Sequence, residues 1–259
     1  MWKAYDTLIG SLPDDIIVTH VHSGPVWTIV QAGTLCGIAV TVNEQNSPLP
    51  EKNRFIGQNL KDVASLCRSW DFPLASVGTA ALNAFINSPE QIRKNFGTGA
   101  SETKKNTGII THTGNTFDDY SRAVAGKKVA VIGHFTALER VLKSAENLVV
   151  LERKPAKDDL PDTACEYILP DQDFVFITGS AFINKTLFRL LEISRNARSV
   201  VLGPSTPMAH VLFRYGADEL GGLITANISP QKFTEIGKDT IRLSSVGERI
   251  RLVKQYESK

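Results

Sequence analysis

The sequence lacks the features that mark several common classes of protein. Its three cysteines, Cys36, Cys67 and Cys165, are odd in number, widely spaced and never part of a C-x-x-C pair. This pattern argues against a disulfide framework and predicts reduced, buried thiols in a cytoplasmic protein. The first residues contain no apolar segment followed by small residues, so we expect no signal peptide.

An excess of either charge is also missing. The chain has 29 Lys and Arg against 27 Asp and Glu, and it has no basic stripe interleaved with aromatic residues. The uncharged stretch from Ile16 to Asn43 is interrupted by His20, His22, Gly24 and Pro25 and alternates with a period of two. It therefore predicts strands and not a membrane helix. We expect neither a nucleic-acid partner nor a membrane partner.

The common catalytic motifs are absent as well. The sequence contains no G-x-S-x-G, no P-loop and no H-E-x-x-H, so nothing specific supports a hydrolase, an NTPase or a zinc protease. Where dinucleotide-binding folds carry G-x-G-x-x-G, this chain has one glycine, Gly133, in the segment from Gly133 to Leu138. The phosphate-cradling half of that fingerprint is therefore missing.

The first part of the chain has an α+β order. The hydrophobic periodicity predicts a helix at 2–12, strands at 16–22, 26–31 and 35–42, and helices at 60–67 and 74–86. The two later strands are joined at Ala32-Gly33-Thr34, which is a hairpin signal. Residues 88–117 are rich in Gly, Thr and Asn and predict a long polar connecting segment. We therefore predict a smaller α+β domain over residues 1–117.

From Lys127 onward, short apolar segments alternate with helical patterns. The predicted strands are at 129–132, 148–151, 174–177, 200–202 and 220–225, and residues 249–252 alternate like an edge strand. Repeated β-α-β units require a parallel sheet with right-handed crossovers. The sequence thus predicts the α/β class, with a Rossmann-like parallel sheet and helices on both of its faces over residues 118–259.

Small and hydroxyl residues follow three of the predicted strands. These segments are Gly133-His134-Phe135, Thr178-Gly179-Ser180 and Gly203-Pro204-Ser205-Thr206. In open α/β sheets, ligands bind beyond the carboxyl ends of the strands, and glycine allows a close backbone approach. With Pro207 in the first helical turn, Ser205 or Thr206 is predicted to cap the next helix and to bind an oxyanion or carboxylate of the ligand.

Two further residues are candidates at the same edge of the sheet. Glu152 ends the second predicted strand, about 20 residues after Gly133, where dinucleotide-binding folds place an acid on a ribose hydroxyl. His134 also lies at the predicted crevice, so His134 and Glu152 form a candidate metal pair. The sequence does not identify a cofactor, and a divalent or heavy metal ion is the candidate.

Together these segments resemble the heavy-metal-chelation family of bacterial and archaeal proteins. The resemblance lies in 128–135, 151–155, 177–186 and 202–207, and more loosely in 16–42 and 78–87. It implies an enolase N-terminal-like α+β domain followed by a Rossmann-like domain, with a site where the two meet. The ligand-binding residues that it implies are Gly133, Glu152, Thr178, Gly179, Asn184, Thr186, Gly203, Pro204 and Ser205.

Two functional hypotheses of different classes follow. The first is a cytoplasmic protein that binds a metal, or a metal-chelating small molecule, in an interdomain crevice. The second is a nucleotide- or adenosylmethionine-dependent enzyme in which Glu152 contacts a ribose. A non-catalytic binding module is a third interpretation. The expected partner is a small-molecule or metal ligand. The sequence leaves open whether a reaction is catalysed and whether the chain forms a homodimer.

Overall fold

The structure contains two sheets of different size. The computed structural model describes residues 1–44, 46–97, 107–111, 120–135, 142–225, 228, 235 and 246–254. The smaller sheet has three antiparallel strands, and the larger has eight strands, most of them parallel. The predicted α/β class is confirmed. We call residues 1–97 the N-terminal unit and the described residues from 107 onward the C-terminal unit.

The N-terminal unit packs helices against the small sheet. Its elements are α1 (Trp2–Gly10), β1 (His20–Ser23), β2 (Trp27–Ala32), β3 (Leu35–Val40), α2 (Leu60–Ser65), α3 (Phe72–Ile86) and α4 (Pro89–Phe96). The predicted hairpin joins β2 to β3, and Gly33 takes a φ of +60° in its turn. Helix α3 begins where the Asp71 side chain accepts a hydrogen bond from the Leu74 N–H.

Helix α3 is buried on almost every side. A Cβ added to Gly37 in β3 would lie 2.1 Å from the Ala80 carbonyl oxygen, so only glycine allows sheet and helix to approach this closely. The small residues of this segment therefore reflect tight packing. The helix also packs against residues 66 and 67 of the N-terminal unit, and Asn83 together with the following Asn87 contacts the C-terminal unit.

The segment that composition predicts as a polar connection contains regular structure. Helix α4 begins after Ser88, whose hydroxyl accepts a hydrogen bond from the Gln91 N–H, with Pro89 in its first turn. Strand β4 (Thr107–Thr111) lies at the edge of the large sheet. This strand is only five residues long and lies within a stretch of mostly polar residues, which is why the composition of 88–117 did not reveal it.

The C-terminal unit is built around the large sheet. Its other strands are β5 (Lys128–Ile132), β6 (Asn147–Glu152), β7 (Leu160–Pro161), β8 (Phe174–Thr178), β9 (Arg198–Leu202), β10 (Glu219–Thr225) and β11 (Gly247–Lys254). The described helices are α5 (Cys165–Ile168), α6 (Ser180–Ile183), α7 (Leu187–Ile193) and α8 (His210–Arg214). The strand order is β4-β11-β10-β9-β8-β5-β6-β7.

This order fixes the place of a ligand crevice. Six neighbouring strands of the sheet, in the spatial order β7-β6-β5-β8-β9-β10, are parallel. When these six are numbered by their order in the chain, the spatial order is 3-2-1-4-5-6, as in doubly wound folds. The chain leaves β5 toward β6 on one side and returns to β8 on the other. The loops after β5 and β8 therefore diverge and leave an opening between them.

Both faces of the large sheet are covered. Ala130, Val175 and Val201 face the core that includes α7 and the N-terminal unit, whereas Val131 and Phe176 face a second core. The second core is closed by side chains of the 120–126 turns and by Leu142. Strands buried on both faces explain the continuous apolar segments in the sequence.

Two expectations about the end of the chain are wrong. Strand β11 is not an edge strand, because β4 pairs with it antiparallel on the side away from β10. The helix after β9 begins at His210, with Ala209 as its N-cap, and not at Pro207. The Met208 N–H donates to the Asn87 side chain at 2.8 Å, and this contact holds the preceding residues outside the helix.

Candidate functional site

A cavity of about 140 Å³ lies at the carboxyl ends of β5, β6 and β8. This is the point where the strand order diverges, as the topology requires. Six of the residues predicted from the sequence line it, namely Gly133, Glu152, Thr178, Ser180, Asn184 and Thr186. The structure therefore brings together residues from three separate strand ends and from the turn after α6.

Gly133 keeps the crevice open. Its φ is +97°, a value that favours glycine. A Cβ at this position would lie 3.0 Å from the Thr178 side chain on the neighbouring strand. Any larger residue would therefore both strain the backbone and fill the gap between the loops after β5 and β8.

Acidic residues and one arginine form the entrance of the cavity. Glu152 accepts a hydrogen bond from the Arg153 N–H at 2.7 Å. The Arg153 guanidinium donates to Asp162 at 2.8 Å and to Glu44 at 2.5 Å. Glu44 belongs to the N-terminal unit, so both units contribute to the entrance. Burial opposes the charge on Arg153, but the Glu44 and Asp162 carboxylates hold its pKa above the ordinary value.

These groups give the cavity a negative electrostatic character. Three carboxylates and one guanidinium line it, and Arg153 pairs with two of the carboxylates, so these four groups together carry a net charge of −2. Glu152 is the third carboxylate, and in the described part of the chain its side chain contacts only a backbone N–H. The lining thus favours cationic ligands and ligands rich in hydrogen-bond donors.

Hydroxyl and amide groups also line the cavity. The Thr178 and Ser180 hydroxyls lie 3.0 Å apart. Asn184 accepts hydrogen bonds from the Thr186 hydroxyl at 2.7 Å and from the Thr186 N–H at 3.2 Å. Because Oδ1 of Asn184 is used in this way, its NH₂ group is the donor that it can present to a ligand.

The remaining lining is mostly apolar. Ile132, Leu151, Ala181 and Leu190 form it together with Cys165. Burial, followed by the nearby Asp162 and Glu166 carboxylates, raises the pKa of Cys165 to about 12. The thiol therefore stays protonated at neutral pH, and a protonated thiol is neither a good nucleophile nor a good metal ligand.

Six predicted site residues do not line the cavity, and five of them are Gly179, Gly203, Pro204, Ser205 and Thr206. Pro204, Ser205 and Thr206 lie in the contact between the two units. The Ser205 hydroxyl accepts from the Val40 N–H at 2.9 Å, and Asn83 donates to the Pro204 carbonyl at 3.2 Å. Both hydroxyl residues are fully buried there and do not line the cavity, and the oxyanion site at Ser205 and Thr206 stays a prediction.

Gly179 and Gly203 have packing roles within the C-terminal unit. A Cβ on Gly179 would lie 2.6 Å from the Thr206 hydroxyl and 2.8 Å from its backbone nitrogen. Gly203 has a φ of +122°, and its N–H donates to Gly221 at 3.0 Å. These glycines allow two strand-to-helix loops to pack directly on each other.

The His134 side chain is turned to a different carboxylate. Its Nε2 lies 2.7 Å from Oδ2 of Asp159, at the exposed surface beside the cavity. The structure therefore does not bring His134 into the lining with Glu152. Across the described ranges, no group of three His, Cys, Asp or Glu residues is arranged to hold a metal ion.

The described part of the chain also has no helix with the length and apolarity that a membrane span needs.

Three charged residues line the cavity in addition to the predicted ligand-binding residues. Arg153 and Asp162 follow Glu152 in the chain, and their nearness to it was the available signal. Glu44 carried no such signal, because it lies 109 positions from Arg153 and reaches it only through the packing of the two units.

Comparison with family models places the chain among proteins of one description. The model DUF364 matches residues 115–238, and the model DUF4213 matches residues 5–86; both carry the description "Putative heavy-metal chelation". The uncharacterized protein MJ0500 of Methanocaldococcus jannaschii is 28% identical over 214 residues, which cover 80% of this chain and 73% of that protein.

Two solved structures are similar over nearly the whole chain. A protein of unknown function from the DUF364 family of Desulfitobacterium hafniense is 33% identical, with 98% of this chain and 99% of that chain covered and a TM-score of 0.85. A DUF364 protein of unknown function from Pyrococcus horikoshii is 20% identical, with 98% of each chain covered and a TM-score of 0.73. The second likeness concerns the fold alone.

Proposed function

Because this chain belongs to the DUF364 family, we propose that it binds a small molecule that carries a chelated metal ion, in the cavity at the carboxyl ends of β5, β6 and β8. The observation that carries the proposal is the composition of the cavity wall. One carboxylate, Glu152, is available for a cation, and the hydroxyl and amide groups of the same lining suit an organic ligand.

The metal ion enters this proposal as cargo. A protein that holds a bare divalent ion needs several ligands from its own side chains. Here Arg153 already occupies the Glu44 and Asp162 carboxylates, and burial keeps Cys165 protonated. The residues present therefore fit a chelate whose organic part satisfies most of the coordination sphere, with Glu152 facing its positive charge.

The size of the cavity limits the ligand. A water molecule takes about 30 Å³ in the liquid, and a cavity of about 150 Å³ binds benzene. The present cavity, at about 140 Å³, thus suits a compact chelator such as a small hydroxy acid or amino acid. It is too small to enclose a whole dinucleotide, whose larger part would have to lie outside.

Thermal unfolding with defined probes tests the proposal. Unmodified protein is measured with Ni²⁺ alone, with histidine alone, and with the 1:1 complex of Ni²⁺ and histidine, which carries a positive charge. We expect stabilisation by the complex and by neither component alone. A complex present at about 100 times its dissociation constant should add about 2.7 kcal/mol of stability. Stabilisation by Ni²⁺ alone would instead mean that the protein itself supplies the ligands.

A pair of variants on one strand provides the control. Glu152→Gln removes the charge at the carboxyl end of β6 and should weaken the complex about 10- to 100-fold, the loss of one charge-assisted hydrogen bond. Glu146→Gln makes the same change just before the other end of β6, where the residue is exposed, and should leave binding unchanged. Equal effects of the two substitutions would contradict the assignment.

A nucleotide- or adenosylmethionine-dependent enzyme is the second candidate. The 3-2-1-4-5-6 strand order and the position of Glu152 at the end of β6 favour it, since an acid there contacts a ribose in dinucleotide-binding folds. The single glycine after β5 counts against it. Stabilisation of the unmodified protein by NAD, NADP or adenosylmethionine, abolished by Glu152→Gln, would make this the leading function.

A further inference from the structure

Lys185 is a charged residue in an unusual position. Only 6% of its surface is exposed, and its backbone has a φ of +72°, in the left-handed region that favours glycine. It lies in the short turn between α6 and α7. Burial of an ammonium group and strain of the backbone both disfavour folding, and residues held in this way cluster at functional sites.

The ammonium group contacts the N-terminal unit. It donates a hydrogen bond to the Ile183 carbonyl. Its nitrogen lies 5.8 Å from the centre of the Tyr5 ring and 5.9 Å from the centre of the Phe72 ring. Tyr5 belongs to α1 and Phe72 begins α3. Cation–π attraction to two buried rings therefore holds Lys185 at the contact between the units.

The residues on either side of Lys185 face the other way. Asn184 and Thr186 line the cavity and are hydrogen-bonded to each other. The preceding helix is fixed as well, because the Tyr5 hydroxyl donates to the Phe182 carbonyl at 2.5 Å and the two rings stack with centres 4.4 Å apart. Three consecutive residues thus connect the surface of α1 with the wall of the cavity.

We propose that Lys185 is a positioning residue, whose buried ammonium orients Asn184 and Thr186 toward the ligand. Its effect on binding rests on the proposed function, whereas its effect on the turn does not. Loss of the ammonium would leave the cavity in place but would loosen one wall. Ligand affinity would then depend on how α1 packs against the turn, although α1 does not line the cavity.

The charge of Lys185 changes within an accessible pH range. Burial lowers the pKa of Lys185 to about 8, an effect that the neighbouring Cys67 opposes. The groups that face it from the N-terminal unit are the Tyr5 hydroxyl and the Cys67 thiol, and burial raises the pKa of both. Beyond Cys67 lies the Asp6–Arg68 ion pair, 2.9 Å long. Tyr5 and Cys67 therefore stay neutral while Lys185 loses its charge.

Amide hydrogen exchange of the full chain tests the turn without any ligand. In Lys185→Met, we expect the amides of 184–186 to exchange at least about threefold faster than in the unmodified protein, because the turn opens locally. The control is Lys143→Met, which removes an exposed lysine. Should Lys185→Met fail to fold, exchange is measured in the unmodified protein from below to above pH 8. As Lys185 loses its charge, exchange of the amides of 184–186 should rise by more than the intrinsic pH dependence of amide exchange. Unchanged exchange in either measurement overturns the proposal.

Binding of the nickel complex that stabilises the unmodified protein then tests the link to the cavity. We expect Lys185→Met to weaken it about tenfold, which is one pKa unit in free energy, while Lys143→Met leaves it unchanged. Faster exchange at 184–186 without loss of affinity overturns the positioning role. If no complex binds the unmodified protein while exchange still responds, the proposed function has failed and the role of Lys185 in ordering the turn stands.

Discussion

Replacement of Lys185 by methionine should stabilise the protein at neutral pH. Burial lowers the pKa of this ammonium from 10.5 to about 8, so the unfolded chain binds the proton more tightly than the folded protein does. Between these two pH values, the unfolded state holds more protons, and the stability of the unmodified protein rises with pH. Each pKa unit corresponds to ~1.4 kcal/mol, so the buried charge lowers the free energy of unfolding by about 3 kcal/mol below pH 8.

Methionine keeps the long apolar stem and is a non-glycine residue, so the strain at a φ of +72° is common to both proteins. Below pH 8, the variant should therefore be more stable by up to about 3 kcal/mol, less the roughly 1 kcal/mol that the ammonium gains from the two rings. This advantage should shrink as the pH rises toward 10. The buried thiols Cys36 and Cys165, whose pKa burial raises to about 12, destabilise both proteins alike above pH 9.

The difference in stability between the variant and the unmodified protein is measured by urea unfolding, monitored by tryptophan fluorescence, at about pH 6.5, 8 and 9.5. The dependence of the unfolding free energy on urea concentration must be equal for the two proteins. A stability difference that stays constant over this range would refute the lowered pKa of Lys185. A variant that is more stable and yet binds its ligand less well would show that the buried charge is retained for the site and not for the fold.

Three further predictions concern the packing behind the cavity. Asn87→Ala removes two buried hydrogen bonds to the loop after β9 and should lower the free energy of unfolding by about 2–3 kcal/mol in urea. Gly179→Ala should cost about 1–3 kcal/mol because its Cβ has no space, whereas Gly10→Ala, with nothing within 4 Å, should be neutral or stabilising. Glu219→Gln leaves the buried Arg251 without its carboxylate and should lower stability by about 3–5 kcal/mol in the same assay; a loss below about 1 kcal/mol would show that Arg251 finds another partner.

Local sequence determined the larger sheet well. The apolar segments at 129–132, 148–151 and 174–177 became β5, β6 and β8, because strands buried on both faces must be apolar at every position. The alternation of strands and helices then forced parallel pairing, and the carboxyl ends of these strands had to meet at one edge. The place of the cavity, and Gly133, Glu152 and Thr178 within it, followed from the sequence for this reason.

The roles of individual residues at that edge depended on the tertiary structure. Ser205 and Thr206 resemble a helix cap in sequence, but the packing of α3 against their loop buries them and delays the helix to His210. His134 pairs with Asp159 because the loop before β7 folds back beside it. In each case, a long-range contact replaces the local interaction that the residue type suggests.

Glu44 and Lys185 show the same limit most clearly. Nothing in the residues around either one indicates a partner, since Glu44 meets Arg153 across 109 positions in the chain and Lys185 meets Tyr5 across 180 positions. Local patterns record burial and turn geometry, because these act on neighbouring residues. Contacts between the N-terminal and C-terminal units join residues that are far apart in the chain, and they place Glu44 beside Arg153 at the cavity and Lys185 against Tyr5.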